Sequence, residues 1–114
     1  MTPRAGMNSM RRGEIRLCRF APPDKRRPVL LLTRDEVLGQ LREVIVAPIT
    51  RTVRGLRSEV VLTPSDGMPV TCAINFDHVG VVRKEELGAV VAAFRAERWP
   101  EAELALRVAC GFEL

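Results

Sequence analysis

Residues 27–34 read Arg27-Pro28-Val29-Leu30-Leu31-Leu32-Thr33-Arg34, and residues 44–50 read Val44-Ile45-Val46-Ala47-Pro48-Ile49-Thr50. Val29 to Leu32 is too short for a core helix. A continuous apolar run of this length predicts a strand buried on both faces. Val44 to Ile49 is a second such strand. Pro48 lacks the N–H that a central ladder needs, so it predicts a strand end or a bulge there. Between the two runs, Asp35 to Leu41 predicts a short helical turn.

Working outward, Glu14 to Phe20 alternates roughly and predicts a first strand, followed by a loop over Ala21–Arg27 marked by Pro22, Pro23 and Asp24. Arg51 to Arg57 is a basic loop containing Gly55. Glu59–Leu62, Val70–Asn75 and Val79–Val82 read as further short strands. Ser65-Asp66-Gly67 is a turn signal between the first two of these, and Lys84–Leu87 reads as one helical turn. Val90–Phe94 reads as a last strand or a helix start. Ala102, Ala105, Leu106 and Ala109 share one helical face, with Pro100 at its start and Gly111 past its end. Five to seven short strands and one helix predict a mainly β (α+β) domain. Its expected form is a strongly bent antiparallel sheet or open barrel with the C-terminal helix against it. Residues 1–11 read as a poorly ordered extension and 12–114 as a single domain.

Composition narrows the function. The 114 residues are 46% hydrophobic and 28% charged, the balance of a globular domain. No apolar run reaches the roughly 18 residues of a membrane span and the N-terminus lacks a signal-like stretch, so a cytoplasmic protein away from membranes is expected. The net charge of +4 is unevenly spread: residues 1–57 carry thirteen basic and five acidic residues, and residues 58–114 carry five and nine. Sixteen of the eighteen basic residues are arginines, whose planar fork grips phosphate. The three cysteines, Cys18, Cys72 and Cys110, form no C-x-x-C and read as small buried hydrophobes. With His78 the only histidine, no metal site and no cofactor are expected, and a two-histidine acid–base pair is excluded. No P-loop, G-x-G-x-x-G or G-x-S-x-G occurs. Tyr is absent and the five aromatics are too few for a base-stacking platform.

Three clusters carry candidate chemistry. Lys25-Arg26-Arg27-Pro28, at a strand entrance, is either a solvated loop or an oxyanion clamp. Thr50-Arg51-Thr52, with Arg54 and Arg57 following, interleaves hydroxyls with guanidiniums, the usual side-chain donors to phosphate oxygens, or is an exposed strand end. In Asn75-Phe76-Asp77-His78 the carboxylate and imidazole are adjacent. On a strand they would point to opposite faces, so Asn75 with Asp77 is the better pair.

Arg12-Gly13-Glu14-Ile15, Arg27-Pro28-Val29-Leu30-Leu31-Leu32-Thr33-Arg34-Asp35 and Val46-Ala47-Pro48-Ile49-Thr50 resemble, in order and spacing, the MazF/PemK toxins. So do Thr52-Val53-Arg54-Gly55-Leu56, Ser58-Glu59-Val60, Asp66-Gly67-Met68, Asn75-Phe76-Asp77 and Leu87-Gly88. This family is the endoribonuclease half of bacterial toxin–antitoxin pairs, and its actinobacterial members look most similar. The resemblance implies an SH3-like (PemK/CcdB-type) barrel, a homodimer, and metal-independent cleavage of single-stranded RNA. The 2′-hydroxyl attacks the neighbouring phosphate, leaving 2′,3′-cyclic phosphate and 5′-hydroxyl ends. It implies Arg27, Thr50 and Asp77 as catalytic residues and Arg26, Arg51, Thr52, Arg54 and Asn75 as RNA contacts. An acidic, MazE-like antitoxin is the implied partner. The sequence departs from the family at Arg16, where a Trp is common, in the loop before Arg27, which has no His, and at Asn75, where some members carry Arg. The alternatives on the same scaffold are a non-enzymatic toxin like the gyrase poison CcdB and a plain SH3-like binding module.

Overall fold

The structure, a computed structural model, describes residues 10–21 and 25–112. Seven antiparallel strands form one curled sheet: β1 (Glu14–Arg19), β2 (Arg26–Leu31), β3 (Glu43–Thr50), β4 (Glu59–Leu62), β5 (Cys72–Asn75), β6 (Gly80–Arg83) and β7 (Leu87–Ala93). Their order is β4-β5-β3-β2-β1-β7, with β6 also paired to β3. Two helices complete the chain, a single turn α1 (Asp35–Leu38) and the C-terminal α2 (Trp99–Ala109). This is the expected mainly β, strongly bent architecture with one helix at the end.

β2 is buried on both faces as its composition predicts. Leu30 points into the larger core, with Ile15, Ile49, Ile74 and the α2 residues Ala102 and Ala105. Val29 and Leu31 point into a smaller core with Cys18, Leu38, Val44 and Val46. Strand alternation alone explains this division of neighbours between two cores. β3 passes from one core to the other. Its start pairs with β6, Val46 opposite Gly80, and its end pairs with β5, Ile49 opposite Ile74. Pro48 falls where β3 has left β6 and not yet met β5, so the missing N–H costs no ladder bond on that edge.

Several local expectations shift. β1 buries Ile15 in the larger core and Cys18 in the smaller one, three apart and so on opposite faces, and its register against β7 slips on either side of Arg16. Asn75 ends a strand, but Phe76–His78 forms a 3₁₀ turn, so Asp77 and His78 do not obey strand alternation. Residues 64–66 form a 3₁₀ turn capped by Thr63 and closed by Gly67 at φ +91°, rather than a tight hairpin. Residues 87–93 are all strand, which decides the last-strand alternative. Cys18 and Cys72 are buried, but Cys110 is exposed at the end of α2, contrary to the expectation for all three. Gly111, φ +80°, donates to the Val108 carbonyl and Phe112 to that of Arg107, a Schellman closure of α2.

Of the segment expected as an extension, residues 1–9 lie outside the described residues, as do 22–24 of the β1–β2 loop. Met10 packs against the smaller core and the Arg11 N–H donates to Glu14 Oε1 at 3.2 Å. Among the described residues no helix is long and apolar enough to cross a membrane.

Candidate functional site

The β2–β3 register pairs Val29 with Pro48. Continued two residues, it sets Arg27 opposite Thr50 on the same face of the sheet. Both residues line one open cleft of about 800 Å³. One wall is the start of β2 with Lys25, Arg26 and Arg27, next to the end of β3 with Thr50, Arg51 and Thr52. The facing wall is apolar: Met68, Pro69, Val70 and Cys72, from the segment that leads into β5. Four cations and no carboxylate line the cleft among the described residues. Such a one-signed lining attracts anions.

Each part has a local cause. Lys25 takes φ +57°, a left-handed conformation that non-glycine residues rarely adopt, and its carbonyl accepts the Phe20 N–H at 2.6 Å. That bond closes the β1–β2 hairpin and starts β2 with its three cations in a row. The Thr50 hydroxyl oxygen accepts the Thr52 backbone N–H at 3.1 Å. Its own proton is left to donate to another acceptor. The Cys72 thiol is pushed up by burial, and then by the Asp66 charge, so it stays protonated and is no nucleophile.

The apolar wall is braced from behind. Asp66 accepts from the Thr63 N–H at 2.9 Å and binds Arg95 and Arg98 at 3.0 and 3.1 Å. Arg98 also reaches Glu101 on α2 at 2.8 Å. The Thr63 bond, and then the arginines, hold the Asp66 carboxyl below the usual range against its burial. Arg98 holds Glu101 low in the same way, and its own guanidinium is held charged, chiefly by Glu101.

The structure thus brings Arg26, Arg27, Thr50, Arg51 and Thr52 together. It does not place Arg54, Asn75 or Asp77 among the cleft-lining residues. Thr50 lies opposite Ala73 on β5, whereas Asp77 lies beyond the end of that strand, in the 3₁₀ turn Phe76–His78. Its carboxylate instead accepts the Ser58 hydroxyl at 2.6 Å, and its N–H donates to Asn75 Oδ1 at 2.9 Å. Asn75 Nδ2 lies 3.2 Å from His78 Nδ1. Instead of the expected pair of side chains on one strand face, the Asn75 side chain caps the turn through the Asp77 backbone, outside the cleft lining. Sequence reading missed the apolar wall. Its only sign there was Asp66-Gly67-Met68, whose turn aims Met68 inward. No group of three or more His, Cys, Asp or Glu is placed to hold a metal ion among the described residues.

Comparison with known proteins gives the family. Residues 11–110 match the family described as PemK-like, MazF-like toxin of type II toxin–antitoxin system. Among curated proteins, the probable endoribonuclease MazF5 of Mycobacterium tuberculosis is 42% identical over 100 residues, 87% of this chain and 84% of that protein. The probable endoribonuclease MazF2 of the same species is 38% identical over 103 residues, 90% and 99% of the two chains. Among solved structures, the Mycobacterium tuberculosis toxin MazF-mt6 superposes with a TM-score of 0.80 at 34% identity, over 86% of this chain and 96% of that one. By sequence across nearly its whole length and by its curled sheet, the chain belongs to the PemK-like, MazF-like toxin family of type II toxin–antitoxin systems.

Proposed function

We propose that this chain is the toxin of a toxin–antitoxin pair and a metal-independent endoribonuclease. In this reading it cleaves single-stranded RNA in the cleft between Arg27 and the Met68–Val70 wall. The observation that carries the reading is that Arg27 and Thr50 line one cation-rich cleft, the pair that would hold a scissile phosphate. Similarity to relatives named endoribonucleases over most of both chains supports it.

The chemistry follows from these side chains. A phosphodiester in the cleft sits among Lys25, Arg26, Arg27 and Arg51. The RNA 2′-oxygen bonds to phosphorus as the bond to the 5′-oxygen breaks, leaving a 2′,3′-cyclic phosphate and a 5′-hydroxyl. Charge builds on the non-bridging oxygens, where Arg27 stabilises it and Thr50 donates a hydrogen bond. Arg27 serves as an electrostatic group rather than a proton carrier, since a guanidinium does not give up its proton in a protein. No carboxylate or imidazole lines the cleft among the described residues, so Asp77 is left out of the proton transfer, which passes through water. Arg26, Arg51 and Thr52 hold flanking phosphates. Arg54 and Asn75, outside the cleft, are not needed for this step.

The antitoxin is an acidic segment that folds onto the same cationic cleft and so competes with RNA. The domain acts as a homodimer within the cytoplasm. A monomeric sedimentation profile at micromolar concentration would contradict the dimer. The nuclease reading is tested by incubating the purified protein with mixed single-stranded RNA and matching DNA in EDTA. RNA is cut and DNA, lacking the 2′-hydroxyl, is not. Intact RNA, or cleavage only with added metal, overturns it.

A further inference from the structure

The Arg51–Arg57 loop is exposed along its whole length, so packing does little to fix it. One side chain does fix it. Glu59, the first residue of β4, turns its Oε1 back to accept three successive backbone N–H groups, from Arg54 at 3.1 Å, Gly55 at 3.0 Å and Leu56 at 3.4 Å. Consecutive amides converging on one oxygen form an anion-holding nest, and Gly55 at φ +73° supplies the turn. The Glu59 N–H donates in return to the Leu56 carbonyl at 3.0 Å. The second carboxylate oxygen, Oε2, is buried with no hydrogen-bond partner. A charge buried with half its acceptor capacity unused is a poor device for stability alone.

The other end of the same loop reaches the cleft. Arg51 and Thr52 line it, and the Thr52 N–H is the group that holds the Thr50 hydroxyl oxygen. Thr52 is two residues from Arg54, the first residue of the nest. A loop freed at residues 54–56 would release the Thr52 amide and with it the direction of the Thr50 hydroxyl.

We infer that Glu59 is a positioning residue for cleavage: by gripping amides 54–56 it fixes the Arg51–Arg57 loop and thereby aims the Thr50 hydroxyl and Arg51 into the cleft. The inference rests on the nuclease reading above. Glu59 touches no substrate in this account; it acts on the chemical step through Thr50.

The test compares wild type, Glu59→Ala, Thr50→Val and the double variant. It measures kcat and KM on one RNA, backbone amide exchange over residues 52–56, and far-UV circular dichroism. Glu59→Ala keeps the fold, speeds exchange at residues 52 and 54–56, and lowers kcat about 10- to 100-fold with a smaller change in KM. In the Thr50→Val background its further loss shrinks to less than about threefold, the non-additivity of groups acting as one unit. Full activity in Glu59→Ala, or an undiminished loss in the Thr50→Val background, overturns the inference while wild-type cleavage leaves the nuclease reading standing. A wild type that cuts no RNA overturns that reading and this role together. If Glu59→Ala does not fold, Glu59→Gln, which keeps one acceptor oxygen, enters the same cycle.

Discussion

In the proposed reaction, Arg27 and Thr50 divide the work at the residue scale. A guanidinium aimed at developing phosphoryl charge is worth what one oxyanion donor is worth. Arg27→Ala should therefore lower kcat about 10²- to 10³-fold with the circular dichroism spectrum unchanged; a rate within tenfold of wild type would remove Arg27 from the chemistry. Asp77 makes the opposite case. Its carboxylate is held by Ser58 beyond the cleft, so Asp77→Asn should keep the cleavage rate within about tenfold. A loss as large as that of Arg27→Ala would return it to the proton transfer. That Arg27 and Thr50 share the cleft was legible because both sit on strands readable from their apolar runs. The surroundings of Asp77 were not legible because Phe76–His78 turns into a 3₁₀ helix, a change that Asn75-Phe76-Asp77-His78 does not announce by periodicity. Glu59 was invisible as a functional residue because its partners are backbone amides, which leave no sequence signal beyond Gly55.

Elements decide how the cleft is held. β2 and β3 were readable from their apolar runs, and α2 from the spacing of Ala102, Ala105, Leu106 and Ala109. The bulge in β1 was not, since it depends on how β7 meets Arg16 across the sheet. The turn at residues 64–66 braces the apolar wall against α2 through Asp66, Arg95, Arg98 and Glu101. The Asp66 side chain is only 8% exposed, so losing its bonds should cost about 1–3 kcal/mol. Asp66 and Glu101 both titrate below ordinary carboxylates when folded. Their stabilisation is therefore fully present above their unfolded values, about 3.9 and 4.3, and is lost as pH falls through the lower folded values. Asp66→Asn should melt below the wild type at pH 7, and thermal melts should show the gap closing below about pH 4. A gap unchanged between pH 7 and pH 3 would mean that the Asp66 charge does not hold the turn.

At the scale of the whole molecule, the first half of the sequence carries most of the positive charge and places four of its cations around the cleft. Residues 1–57 supply Lys25, Arg26, Arg27 and Arg51 to the cleft, while much of the acidic second half is spent on its own arginines around α2. Four cations on a single strand predict that log Kd for a non-cleavable RNA analogue rises with log salt with a slope of about 3; filter binding from low to high salt would show it, and a flat response would mean the cleft does not hold phosphates. An acidic partner segment seated there should lose affinity with salt in the same manner. The most direct measurement is a crystal structure of the protein with a single-stranded RNA carrying one 2′-deoxynucleotide at the cleavage position. The account predicts the scissile phosphate within hydrogen-bond distance of both the Arg27 guanidinium and Thr50 Oγ1, against the Met68–Val70 wall. A scissile phosphate held elsewhere, with Arg27 and Thr50 facing solvent, would contradict it.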